Sequence, residues 1–493
     1  MKKTIKTIVS MCAASLIIFS ACSGGTNNVG TSSSSNSGSD ETSAGSETTT
    51  TSGTSSGTSS TPTTTSTTKK IKFSDVPTGY AGVSYSATPT SYTVSTVTTR
   101  EELISKAKLG NQIIYVSGMI DMTNDASKSY GSLLPTAGGG TSTGLDAFVA
   151  AQSTSTSYAN YNAWRNAYVR ACTTSTDNGS SHKNDVLNGD TWTLDTAYKN
   201  IVQIDVASNT IIIGLDENSG IKGGSINIGK SGETRSNIVI RNLTIQDAYD
   251  PFPHHESGDG YNAERDYVVI QQTTSNIWID HCTFKETMSL IHVYTGASSD
   301  AGVLSGGSGT DEKWQTYDGM LDIKGTANGA TVSYCKFMNH DKTLLFCSGS
   351  SDTGTKNITL DHNYFYGTKQ RLPMVGHANL HTYNNYVAVG NGTYTNDYAI
   401  GLRYAAKVVS ENNCFSNFVK YSYKNQGSLT GELYKSGDSD SSTDGVQSDA
   451  TLSSCIKAVM PFTPSYTYTP EEAAGLSTSI PANAGAGKWA VEQ

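Results

Sequence analysis

One phrase recurs along the chain from Asn209 onward. Its opening residue is mostly asparagine. Apolar and polar positions then alternate, and a cysteine or asparagine stands near its end, two residues before an aromatic or aliphatic side chain. It starts at Asn209, Asn237, Asn276, Gly329, Asn357, Asn379 and Lys407, with spacings of 28, 39, 53, 28, 22 and 28 residues. Period-two alternation predicts strands. The return of the same phrase, with no reversing turn after each strand, predicts that equivalent strands run parallel and stack about 4.8 Å apart. The expected fold is therefore all-β: a parallel β-helix whose shortest coil is near 22 residues and whose longer coils carry insertions.

The phase of the phrase predicts its interior. Cys282, Cys335, Asn363, Asn385 and Asn413 fall at one position of successive coils. The asparagines are expected to hydrogen-bond up a column, and Cys282 and Cys335 to be buried free thiols. Trp278 reads as part of a rung. The pairs Asp280–His281 and Asp361–His362 recur at one strand-to-turn phase, which argues for structural hydrogen bonding rather than catalysis.

Outside the repeat the pattern changes. Folded sequence is expected from about Ile71. Glu101 and Glu102 behind Thr98 or Thr99 predict the start of a short helix running to Leu109, placed to cap the open end of the solenoid. Gln112 to Ile120 reads as one strand. Residues 123–200 read as a partly helical insertion. Gly144 to Cys172 looks helical there, and Tyr161, Trp164, Tyr168 and Ala171 form a stripe that packs on the solenoid.

The N-terminal residues belong to no domain. Lys2, Lys3 and Lys6 precede an apolar run from Ile8 to Phe19, then Ser20, Ala21 and Cys22. Residues 1–21 read as an export signal, with Cys22 as a candidate lipid anchor. Residues 22–70 read as a Ser/Thr/Gly tether, whose random-coil span is roughly 37 Å. The remainder, 71–493, is the expected folded domain. Export predicts an extracellular or cell-surface protein, and a monomer is expected. A net charge of −9 and a pI near 5.5 argue against nucleic acid as partner. Of eight cysteines, those beyond Cys12 and Cys22 fit no zinc spacing.

Charge enters at a second strand of each coil, ahead of the repeated phrase. Glu264 and Asp266 stand before one such strand, Asp318 and Asp322 at the next, Lys342 at the third and Arg371 at the fourth. Same-face spacing predicts that the four carboxylates converge. Two like charges at about 4 Å cost about 4 kcal/mol in an effective dielectric of roughly 20. The acids therefore need protons or a cation, and an all-oxygen ligand set suits a hard ion, Ca²⁺ before Mg²⁺.

With these residues stand Gly214-Leu215, Ile221-Lys222-Gly223-Gly224, the run from Asp247 to Pro253, Trp278 to His281, Asp318 to Lys324, His340-Asp341-Lys342 and Arg371-Leu372-Pro373. Together they resemble the pectate lyases of polysaccharide lyase family one, over about Gly79 to Lys488. The resemblance implies a right-handed parallel β-helix and cleavage of α-1,4-linked polygalacturonate by Ca²⁺-dependent β-elimination. It makes Glu264, Asp266, Asp318 and Asp322 the calcium ligands, Lys342 a substrate-binding lysine and Arg371 the residue at the C5 proton. An arginine is ordinarily always a cation, so Arg371 either takes that proton itself or positions a hydroxide. One departure stands out: the family commonly has a second arginine five residues after the first, and here that position is Gly376. His377 and Arg403 are the candidates to replace it. The alternatives are a pectin lyase acting on methyl-esterified chains, against which the acids argue, and a non-catalytic pectin-binding surface protein.

Overall fold

Asparagine sets the corners of the coils. Asn111 and Asn209 stand just before strands and Asn237 and Asn276 within them, all with φ between 51° and 57°, a left-handed backbone that asparagine tolerates better than most residues. A second corner repeats the same conformation at Asn242, His281, Tyr334, His362, Asn384 and Asn412. The computed structural model describes residues 76–85, 92–135, 142–174, 186–256, 260–288, 314–392 and 394–489. The expected signal, the tether and Cys22 lie outside these residues.

Three parallel sheets run the length of a solenoid, a parallel β-helix. One coil shows the plan. Thr326–Ser333 lies in the first sheet, Lys336–Met338 in the third and Leu344–Phe346 in the second, before Lys356–Asp361 returns to the first. Successive coils pair in register, as Ile240 with Ile279, Ile279 with Val332, and Val332 with Leu360. The inward side chains stack likewise: Phe284, Phe337 and Phe365 have centroids 4.8 and 5.2 Å apart and lie nearly parallel.

At the corner between the first and third sheets the expected asparagine column is present. Asn363 Nδ2 donates to Asn385 Oδ1, and Asn385 Nδ2 to Asn413 Oδ1, each at 2.9 Å. Below it the Cys335 N–H donates to Asn363 Oδ1. Cys282 and Cys335 are buried and free, as are Cys347, Cys414 and Cys455.

The cap helix is Arg100–Ala107, with Thr99 as its N-cap and Glu102 completing a capping box. The strand expected over 112–120 is two strands, Gln112–Val116 and Met119–Asp121. Gly118, at φ 73°, turns the chain between sheets there. The insertion also differs from expectation. Its helix is split into Thr143–Ala151 and Tyr161–Thr174, because the Ser/Thr-rich stretch between them favours turns over helix. A further helix, Val186–Val202, leads directly into the first strand of the second sheet, Gln203–Asp205. Trp164 and Tyr168 are buried against each other, and Trp164 also packs on Phe252 and Trp314. Ala171, the last member of the expected stripe, has no described side chain.

Candidate active site

The candidate residues are gathered by the second sheet. Its strands Val268–Ile270, Leu321–Ile323, Leu344–Phe346 and Met374–Val375 are consecutive neighbours. Val269 pairs with Asp322, Asp322 with Leu345, and Leu345 with Met374. Of the charged residues only Asp322 lies in a strand; Asp266, Asp318, Lys342 and Arg371 stand just before theirs. The backbone holds them level: the Tyr267 N–H donates to Gly319 O at 2.9 Å, and the Leu344 N–H to Arg371 O at 2.8 Å.

Three carboxylates come together, with a lysine among them. Asp266 and Asp322 are 5% and 2% exposed. Lys324 Nζ sits 3.0 Å from Asp266 Oδ2 and 3.0 Å from Asp322 Oδ2. Asp266 Oδ1 accepts from the Gly319 N–H at 3.1 Å. Asp322 Oδ1 is buried and has no hydrogen-bond partner. Gly319 permits this packing, since a Cβ there would lie 2.3 Å from Asp322 Oδ1 and 2.9 Å from Asp266 Oδ1. Asp318 pairs with Lys342 at 3.2 Å.

The electrostatics follow. Burial, then the charge of Asp322, pushes Asp266 well above the ordinary carboxylate range. Burial and the neighbouring Asp318 raise Asp322, Lys324 notwithstanding. Burial acts on Asp318 too, but Lys342, Lys324 and Arg371 outweigh it and hold that carboxyl low. Lys324 alone stands between Asp266 and Asp322, while Lys342 pairs with Asp318.

Glu264 stands apart. It is exposed at the rim, and its backbone N–H donates to Asp250 Oδ2 at 2.7 Å. Full convergence of four acids is thus not what the structure shows. Among the described residues, no three histidine, cysteine, aspartate or glutamate side chains close on a common metal position. Lys324 reaches between Asp266 and Asp322 and takes one oxygen of each. Its two-residue spacing from Asp322 was a signal that the two share a face, though not that Lys324 reaches across to Asp266.

Above the acids the groove turns cationic. Arg371 has a left-handed backbone, φ 62°, and its Nε is buried without a hydrogen-bond partner. Asp318 and Asp322 are the acids that feel its charge. Beneath Lys342, the buried His340 is held by Glu286 at Nδ1 and donates from Nε2 to the Asp318 carbonyl at 2.7 Å. On the next coil Arg403 crosses Gly376 and donates from Nη2 to the Cys347 carbonyl. A Cβ at Gly376 would lie 3.2 Å from Arg403 Cγ and 2.9 Å from Tyr404 Cδ2. His377 instead stacks on Tyr404, 13° from parallel.

The two Asp–His pairs are not brought to this groove. Asp280 binds Arg241 and His281, Asp361 binds His362, and the Tyr334 ring is sandwiched between the two imidazoles. Trp278 is buried, donates to Ser333 Oγ and carries Arg241 over its face.

A groove with buried acids at one level and lysine and arginine beside them suits an anionic polymer whose carboxylates must be neutralised. Comparison with known proteins agrees. Residues 136–489 match the sequence model of a family described as pectate lyase. Pectate lyase E of Dickeya chrysanthemi is 34% identical over 317 residues, 62% of this chain and 77% of that protein. Pectate lyase of Bacillus subtilis (strain 168) is 32% identical over 298 residues, 58% of this chain and 66% of that protein. A solved pectate lyase bound to a hexasaccharide superposes with a TM-score of 0.62 at 26% identity, covering 83% of this chain and 96% of that one.

Proposed function

This chain belongs to the pectate lyase family and is a polysaccharide lyase acting on polygalacturonate; we propose that it does so by Ca²⁺-dependent β-elimination at the groove of Asp266, Asp318, Asp322, Lys342 and Arg371. The observation that carries this is Asp322 Oδ1, a buried carboxylate oxygen without a partner beside a second buried acid. Such an oxygen is costly unless something positive completes it.

The donor set fits a hard cation. Asp266, Asp318 and Asp322, with Glu264 at the rim, are the residues that would hold Ca²⁺. The ion would supply neutralisation of the uronate carboxylate, which makes the C5 proton acidic. Lys324 takes the Oδ2 atoms of Asp266 and Asp322 and leaves Asp322 Oδ1 for another partner.

The chain's own residues do the rest. Lys342 neutralises charge that develops on the substrate carboxylate as C5 loses its proton. Arg371, whose Nε–H has no partner, can hold a hydroxide that takes that proton, and could take it itself only as the neutral guanidine. Loss of the C5 proton and rupture of the C4–O4 bond leave a C4=C5 double bond on one fragment and a hydroxyl on the other. His340 keeps Asp318 in place from below, and Arg403 puts a guanidinium over Gly376 where a substrate carboxylate would pass. Residues 1–21 as an export signal, with Cys22 lipidated, would put the enzyme at the cell surface, where a polymer too large to enter the cell is met.

The test is ultraviolet absorbance of the unsaturated product. Polygalacturonate with Ca²⁺ should give steadily growing absorbance, and chelator should stop it. New reducing ends without absorbance would mean hydrolysis. Turnover of methyl-esterified pectin alone, indifferent to chelator, would make it a pectin lyase.

A further inference from the structure

The helix Val186–Val202 is tied to the segment beside the groove and carries an exposed aromatic side chain. Trp192 is 39% exposed. One side of its indole lies on the His254 ring, centroids 3.8 Å apart and 29° from parallel. His254 is 5% exposed, and neither of its ring nitrogens has a hydrogen-bond partner; the Asp195 carboxylate stands 3.9 Å from Nε2. Asp195, on the same helix as Trp192, also pairs with Arg265, the residue between Glu264 and Asp266. The helix is thus tied to the segment that carries two of the groove's acids.

The position is linked to the groove through the chain. His254 opens the hairpin His254–Glu256 and Gly260–Asn262, which runs straight into Glu264. Across it, Tyr261 bridges to Trp314, four residues before Asp318. The exposed part of the indole opens onto a shallow surface that it shares with Thr193, Thr196, Ala197 and Asn200 of the same helix. A flat aromatic plate edged by hydroxyls and an amide is suited to a pyranose ring, whose C–H face packs on the plate while its hydroxyls reach the rim.

We propose that Trp192, seated on His254, is a stacking platform for a galacturonate unit distal to the bond being cleaved, so that the insertion gives the enzyme a preference for long chains. This rests on the lyase reading above and extends its groove by a subsite that the repeat itself does not contain.

Initial rates on polygalacturonate and on trigalacturonate test it, for the wild type, Trp192→Ala and Trp192→Phe. Loss of one stacking contact should raise KM for the polymer about tenfold in Trp192→Ala, with kcat nearly unchanged and trigalacturonate kinetics unaltered. Trp192→Phe should recover most of the loss. An unchanged polymer KM in Trp192→Ala, or an equal loss on both substrates, overturns the proposal. Calorimetric binding of polygalacturonate is a second measurement, one that needs no turnover: weaker binding to Trp192→Ala supports the platform, and equal binding removes it. A wild type that yields no unsaturated product from either substrate defeats the lyase reading instead, and the binding comparison still decides Trp192.

Discussion

Two polar columns climb the same solenoid, and they are built on opposite terms. At the corner between the first and third sheets, Asn363, Asn385 and Asn413 repeat one residue and satisfy one another. Asn385 alone accepts from the Asn363 N–H and donates to Leu360 O, besides its two ladder bonds. Beside the second sheet, Asp266, Asp318, Lys342 and Arg371 change identity from coil to coil and leave Asp322 Oδ1 and Arg371 Nε without partners. The first column is neutral and complete, the second charged and incomplete. Repetition serves stability, because a stacked amide finds its partner in the next copy of itself. Departure from repetition marks chemistry here, because unpartnered buried acid and guanidinium groups gathered at one place leave room for something else to bind.

Substitution at each column should separate the two roles. Arg371→Ala should lower kcat/KM on polygalacturonate by about a thousandfold or more, on the scale of a lost proton-transfer or charge-stabilising group. Its far-ultraviolet circular dichroism and urea midpoint should be unchanged. Activity within tenfold of wild type would remove Arg371 from the chemistry.

The converse holds for the amide column. Asn385→Ala leaves the buried Asn363 N–H and amide short of an acceptor, and should cost about 3 kcal/mol of stability. Folded molecules of that variant should keep wild-type kcat. A stable variant with reduced kcat would mean that the column is not merely structural.

The same coil carries a pH-sensitive element. His381 is buried, donates from Nε2 to Glu411 Oε2 at 3.1 Å and accepts the Tyr466 O–H at Nδ1, 2.6 Å away. Burial, against the pull of Glu411, pushes its pKa down to about 4. An unfolded histidine titrates near 6.5, so between these values the unfolded chain holds a proton that the native one does not. Stability from this group is therefore full above about 6.5 and is lost as pH falls toward about 4. Urea midpoints across that window should fall less steeply in His381→Gln than in wild type, while the pH profile of kcat stays the same in both. Parallel midpoint curves would show that His381 is not the group concerned.

Much of this was legible in the sequence because a solenoid converts register into proximity. The phrase at Asn276, Gly329, Asn357 and Asn379 placed the amide column and the buried thiols, and Thr99 with Glu102 marked the cap helix. The acid-then-base order from Glu264 to Arg371 pointed to one groove, since charges on successive coils become neighbours. Side-chain reach was not legible. Lys324 passes between two coils to join Asp266 and Asp322, and Arg403 crosses Gly376 from the coil after it. Nor was the helix Val186–Val202, whose packing comes from the fold's flank and not from any repeat. Trp192 on that helix had no pattern to announce it.

The claim that joins both columns is that an ion completes the charged one. Thermal melting with Ca²⁺, with Mg²⁺ and with chelator tests it directly, in wild type and in Asp322→Asn, which keeps the shape of the side chain. An ion bound only by the native state adds about 2.7 kcal/mol at a hundredfold excess over Kd. Wild type should therefore melt a few degrees higher with Ca²⁺ than with chelator, and Mg²⁺ should do little, because it sheds water reluctantly for irregular ligands. Asp322→Asn should lose most of the Ca²⁺ shift yet melt at least as high as wild type in chelator, since it relieves the crowding of Asp266 and Asp318. Equal melting of wild type with Ca²⁺ and with chelator, in the presence of an oligogalacturonate as well as without it, would contradict an ion at the charged column.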